Sequence, residues 1–197
     1  RMIVPRAPLP EAAKRLGGQA HLAAALPHRS EFGGIVTNLS REVALAGAEV
    51  KLNTPVDRAL LERERPDAVI VATGSTVHLP PFEQGTGVQV VTIEDILVHR
   101  VKTGQRVVIY DWLADWIGVG IAEKLAAEGA HVRLAVNGVC PAISIQNYVR
   151  DAGIARLHEA GVEMPPFMRL YGTEGETVLF LHTAAQTPVE LGGVDTL

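Results

Sequence analysis

The sequence predicts an α/β protein, and three features carry that prediction. Segments with helical and strand periodicity alternate along most of the chain, residues 67–75 form a strand-length apolar run without alternation, and the closing third alternates polar and apolar residues around glycines. In chain order, EFGGIVTNLSREVALAG places Phe32, Ile35, Val36, Leu39, Val43 and Ala46 at three- and four-residue steps, an amphipathic helix ended by a glycine. AEVKLN then alternates as a short strand. PDAVIVATGS has the continuous apolar character of a strand covered on both faces, as in a parallel sheet. VHLPPFEQGTG, rich in Pro and Gly, reads as a crossover, and TIEDILVHR as a short helical piece.

The TGQ turn leads into RVVIYD, the helix 119–128 and the strand HVRLAV, a βαβ unit whose crossover is expected to be right-handed. SIQNYVRDAGIARLHEAGVEM is a further helix, with Ile145, Tyr148, Val149, Ala152, Leu157 and Ala160 on or near one face, followed by an edge-like strand. MRLYGTEGETVLFLHTAAQTPVELGG reads as a β-meander.

Composition bounds the function. A chain of 197 residues, 47% hydrophobic and 20% charged, can bury one sizeable core or two small ones. A net charge of −4 supplies no basic field for nucleic acid, and no apolar run approaches the ~20 residues that cross a bilayer. A soluble, cytoplasmic protein without nucleic-acid or membrane partners is expected. The single cysteine, Cys140, can form neither an internal disulfide nor a metal site alone, and is expected to be a small buried residue. Pro5, Pro8 and Pro10 interrupt any long first strand. The chain opens without an initiator Met and stops on GGVDTL, a turn with the start of an apolar strand, so a fragment of a larger protein is expected.

Two motifs carry the candidate chemistry. In EAAKRLGGQ, Gly17 and Gly18 let the backbone turn sharply and approach a ligand, and Glu11 is placed upstream to accept from ribose hydroxyls. In DAVIVATGS, the small residues Ala72, Thr73, Gly74 and Ser75 close a strand at the sheet edge where ligands of open α/β folds sit. An acid, Gly-Gly, helix, short strand, ATG and then an inserted second unit, in that order, resemble the architecture of the pyridine nucleotide and disulfide oxidoreductases: two Rossmann-like units, FAD- and NAD(P)-binding in type, incomplete at both ends, with a small antiparallel β layer.

Within it, LGGQ, NTPVD, PDAVIVATGS, TIEDIL and IAEKLAAEGAHVRLAV resemble the carboxyl-terminal region of the old-yellow-enzyme-like NADH:flavin oxidoreductases. That family includes dienoyl-CoA reductase, the trimethylamine, dimethylamine and histamine dehydrogenases, and methylproline demethylases. The resemblance implies a parent with an FMN-holding TIM barrel and a four-iron cluster, neither contained in this chain. It also implies three stretches: residues 1–80, a partial FAD/ADP-binding-like unit resumed at 191–197; 81–104, a linker; and 105–190, an inserted NAD(P)-binding-like unit with a degenerate glycine loop. Carried over position by position, it puts Glu11, Gly17, Gly18, Gln19, Val56, Ala72, Thr73 and Gly74 beside a bound ADP or FAD. Val56 falls where the backbone meets the adenine. The family's GxGxxG strand and helix, which supply much of the pyrophosphate affinity, have no counterpart here, so weak or absent ADP binding is expected.

In the second unit, counting back from EKLAAEGAHV, the three glycine positions read Leu113, Asp115 and Gly118, in a loop about two residues longer than usual. Asp115 at a helix amino terminus satisfies free N–H groups and repels a phosphate. Asn137 and Gly138 offer no ribose acid and no arginine for a 2′-phosphate. This departure resembles the amine-dehydrogenase branch, which passes electrons through its cluster to an external acceptor, rather than the branch that reads NAD(P)H. The alternatives are an NAD(P)H loop that uses other amides, and a docking module for an electron-transfer flavoprotein. Trp112 and Trp116 are expected to plug the vacated cleft. No histidine pair has metal-ligand spacing; His28, His99, His158 and His182 read as surface residues, and ERERPD and IEDI as solvated faces.

Overall fold

The computed structural model describes residues 8–197, so Pro5 lies outside the described residues. The chain divides into two units, Arg1–Ala25 with Arg29–Thr76, and Leu26–His28 with Val77–Leu197.

In the first unit, strand β1 (Leu9–Pro10) pairs in parallel with β2 (Val50–Lys51). Both prolines at this end lack an N–H, which confines β1 to two residues with bonds from Leu9 N to Glu49 O and from Glu11 N to Lys51 O. Helix α1 (Ala20–Ala24) follows the Gly17–Gly18 turn, and α2 (Glu31–Leu45) covers the predicted helical segment, with Gly47 just past its end at φ 69°. Helix α3 (Arg58–Glu64) starts at Asp57, whose carboxylate accepts from Leu60 N at 2.8 Å.

The apolar run 68–75 departs from expectation. It joins no described strand, and Val69, Ile70 and Val71 are 54, 93 and 78% exposed. A continuous apolar run is stable as a central strand only if chain lies on both sides, and no described strand pairs with it. Helix α2 likewise leaves Ile35, Leu39 and Leu45 exposed, and no described residue of this unit is fully buried.

The second unit holds the core. Strand β3 (Glu83–Gln84) pairs with β6 (Met168–Glu174), and β6, β7 (Thr177–His182) and β8 (Thr187–Leu191) form the predicted antiparallel meander. Helix α4 (Ile93–Leu97) is capped by Thr92, whose hydroxyl accepts from Asp95 N and donates to the Asp95 carboxylate at 2.7 Å. Strand β4 (Arg106–Asp111), helix α5 (Trp116–Ala127) and strand β5 (His131–Val136) form a parallel βαβ unit in register from Arg106 opposite His131 to Asp111 opposite Val136. Helix α6 (Asn147–Glu159) follows and buries Gly153 and Leu157.

The closing segment, read from sequence as returning to the first unit, is paired in the second. Thr196 bridges both Gln89 and Val107 in parallel, and Glu163 bridges Arg133 beyond β5. The result is a parallel series from Gln89 through Thr196, β4 and β5 to Glu163. Asp195 anchors that segment: its carboxylate accepts from Arg106 N at 2.8 Å and from the Arg106 guanidinium at 2.6 Å, and these bonds hold it down at a pKa of about 2. Residues 81–104, read as a linker, thus contribute β3 and the Gln89 bridge to this unit.

Ile121, Leu125, Leu134 and Leu157 are at most 2% exposed. Truncation of Leu134 to Ala is expected to lower stability by about 2–5 kcal/mol, read as a shifted denaturation midpoint, because the surrounding sheet cannot collapse into the cavity. A loss below about 1 kcal/mol would show that the β5 core is not close-packed.

Candidate functional site

The first candidate site is built by two turns. Gly17 has φ 113°, where a side chain would be strained, and a Cβ there would meet His21 Nε2 and Val36 Cγ1 at 2.7 Å. The position of a Cβ on Gly18 faces open space. The structure brings Gln19 to the ATG turn: its side-chain amide donates to Ser75 O at 2.9 Å and Ser75 Oγ at 3.1 Å, and Gly74 lies in van der Waals range of Gln19 Oε1. Gly17, Gly18, Gln19 and Gly74 therefore lie around one side-chain-poor surface, with Ala72 and Thr73 exposed beside it. Glu11 turns its carboxylate onto the Ala13 N–H at 2.8 Å, in a half-buried position. Val56 is exposed.

These residues fit the ADP part of a nucleotide only partly. The glycines leave open backbone and Glu11 keeps free carboxylate lone pairs, but α1 has only five residues and supplies little dipole for a pyrophosphate.

The second candidate site is the loop from β4 to α5, and there the structure supplies a residue that the motif alignment missed. Asp115 caps α5 as expected, accepting from Ile117 N at 2.7 Å. Asp111, the last residue of β4, folds back deeper. It is 8% exposed, its Oδ1 accepts from Ala114 N at 2.9 Å, and its Oδ2 has no hydrogen-bond partner among the described residues. A Cβ on Gly118 would overlap Oδ2 and lie 2.7 Å from Asp111 Cγ. The glycine that normally allows helix to pack on strand here makes room for a carboxylate.

Burial pushes the Asp111 carboxyl up to about 6; the Ala114 N–H opposes the rise and the nearby Asp115 charge adds to it. The extra loop length is what permits this: Ala114, at φ 48° and 3% exposed, turns the chain so that its N–H faces back to the strand. Ser144 fixes the turn from the β5 side by donating from Oγ to Ala114 O at 2.9 Å.

Trp112 does not plug the cleft. It is 53% exposed, edge-on to Tyr110 at 6.3 Å, because Asp111 already fills the interior. Trp116 is half-buried at the start of α5. Cys140 is half-buried rather than buried, in the turn after β5. Of the histidines, His28 contacts Glu123 at 2.9 Å, and His182 accepts from Ala185 N at 3.0 Å. A cavity of about 310 Å³ lined by Lys102, Gly104 and Glu128 opens at the other, amino end of β4, away from the loop. No described helix is long and apolar enough to cross a membrane.

No protein-family model matches the chain. It is 31% identical over 167 residues, 82% of its length, to the N,N-dimethylglycine/sarcosine dehydrogenase of Chromohalobacter salexigens. Its identity to the "Probable N-methylproline demethylase" of Rhizobium meliloti is 34% over 124 residues, 63% of the chain. The chain matches the carboxyl-terminal region of this amine-dehydrogenase and demethylase branch. It spans only 24 and 18% of those two relatives. Its fold superimposes on histamine dehydrogenase from Rhizobium sp. 4-9 with a TM-score of 0.83 at 20% identity, covering 98% of this chain and 31% of that one. The relatives and structural neighbours are oxidoreductases, and the fold is that of their Rossmann-like nucleotide-binding regions.

Two measurements check the site. The Asp111 carboxyl is raised in the folded state, so between pH 4 and 6 the native chain holds a proton that the unfolded chain has lost. Stability from this group is therefore full below about pH 4 and falls as pH rises to about 6, by of order 3 kcal/mol. Asp111→Asn removes that slope, so the variant is expected to match the wild type in denaturant at pH 4.5 and to exceed it at pH 7.5. A variant less stable at pH 7.5 would refute the assignment. Separately, Gly118→Ala is expected to cost about 1–3 kcal/mol in the wild type and much less in an Asp111→Ala background. Equal costs in a double-mutant cycle would show that the two residues do not compete for space.

Proposed function

We propose that the chain is the noncatalytic nucleotide-binding-like region of an FMN and iron-sulfur oxidoreductase that acts on amines by oxidative demethylation or deamination in the cytoplasm. The observation that carries this reading is the Asp111 carboxylate buried against Gly118 at the amino end of α5, in the space that a dinucleotide pyrophosphate would need. An acid there, with Asp115 beside it, is incompatible with NAD(P)H, which favours the branch whose electrons leave by another route. FMN and the four-iron cluster would belong to the remainder of the parent, since the one cysteine cannot ligate a cluster.

The first unit would hold ADP, or the ADP part of FAD, on Glu11, Gly17, Gly18, Gln19 and Gly74, at reduced affinity. Its exposed apolar run and α2 stripe support the rest of the parent chain, TIM barrel included, as its covering partner: a unit with no buried residue among those described gains little from a core of its own. A second reading, docking of an electron-transfer flavoprotein, is favoured by the exposure of Trp112 and Leu113, 53 and 68%, at the carboxyl edge of the β4–β5 pair.

Calorimetric titration separates these readings. NADH and NADPH at up to about 1 mM are expected to give no binding heat, and ADP to bind weakly, with a further loss of at least about threefold in Gln19→Ala. Micromolar NADH binding would establish the alternative, a working NAD(P)H unit, and ADP binding unaffected by Gln19→Ala would remove the first unit's site from the Gly17–Gly74 surface.

A further inference from the structure

The geometry points to Asp111 as the residue that sets specificity in the second unit: its side chain occupies, from within the chain, the anion position at the amino end of α5. The inference rests on the reading that this unit takes no NAD(P)H, and it names the group responsible. Helix α5 is twelve residues long, so its amino terminus carries a full dipole. Ahead of it, Ala114 at φ 48° curls the backbone into a concavity of the kind that holds anions, and Ala114 N points to Asp111 Oδ1 at 2.9 Å. A side chain that only stabilised the turn would need that one oxygen. Asp111 brings a second, Oδ2, which is buried, unbonded and pressed against the Gly118 backbone, where phosphate-binding loops let their ligand approach.

An unpartnered buried oxygen costs free energy and returns nothing to the fold. It does fill the volume and supply the charge that a bound phosphate would. Carboxylate and pyrophosphate need the same space with the same sign of charge, so one excludes the other. Asp115 reinforces the exclusion but does not cause it, because its carboxylate is spent on Ile117 N.

The test uses this chain, inorganic pyrophosphate as probe, and tryptophan fluorescence as readout. Both tryptophans of the sequence, Trp112 and Trp116, lie in this loop and the first turn of α5, so they report binding here. Asp111→Ala, and Asp111→Ser in case the alanine variant does not fold, should bind pyrophosphate at least about tenfold more tightly than the wild type. Asp111→Asn, neutral but of unchanged size, should not. No gain in folded Ala and Ser variants, an equal gain in the Asn variant, or failure of both small variants to fold would each overturn the inference. Wild-type binding of NADH in a parallel titration would instead overturn the reading beneath it.

Discussion

Strand β4 and helix α5 approach so closely at Gly118 that the Asp111 side chain takes the place of any side chain there. The arrangement of the second unit around that loop depends on this contact. With the carboxylate inside, the connection needs its extra residues, Ala114 must adopt a left-handed conformation, and Ser144 must reach across from the β5 side to hold Ala114 O. Trp112 and Leu113 are pushed outward as a result. One acidic side chain at the end of a strand thus accounts for a closed interior, a strained turn and an apolar rim.

The two units differ in how their folding free energy is supplied. The second has a continuous core in which Val108, Ala135, Val178, Phe180 and Val194 pack from β4, β5, the meander and the closing segment. Hydrophobic burial can stabilise it without help. The first has local hydrogen bonds, the α2 stripe and a two-residue parallel pair, but no buried side chain among its described residues. Its order rests on capping and on cross-turn bonds such as those of Gln19 to Ser75, which are individually small.

Much of this was legible in the sequence, and what was not has a physical reason. Helix α2, the β4–α5–β5 unit and the meander follow from periodicity because each is specified by its own residues. The run at 68–75 did not behave as a covered strand because coverage is a property of its neighbours, and no pattern within PDAVIVATGS records whether they are there. Asp115 was legible because helix caps have a fixed offset from the first turn. Asp111 was not, since counting glycine positions back from the helix assigns the lengthened loop to Leu113 and Asp115; only counting forward from the apolar residues of β4 shows an acid as the last strand residue. The position of the closing segment was missed for a similar reason: a few apolar residues after Gly-Gly carry no information about which sheet receives them.

That closing segment has a consequence for how the second unit is made. Thr196 lies between Gln89 and Val107, so the middle of the parallel series is filled by residues about ninety positions later in the chain. Pairings of such large sequence separation form slowly, since loop closure must precede any gain from the contacts. Until Thr196 is in place, β4, α5 and β5 form an unfinished sheet with an open edge at Val107. The Arg106–Asp195 bonds then act as the fastener that selects the correct register, and the sheet is complete only once this distant segment has docked.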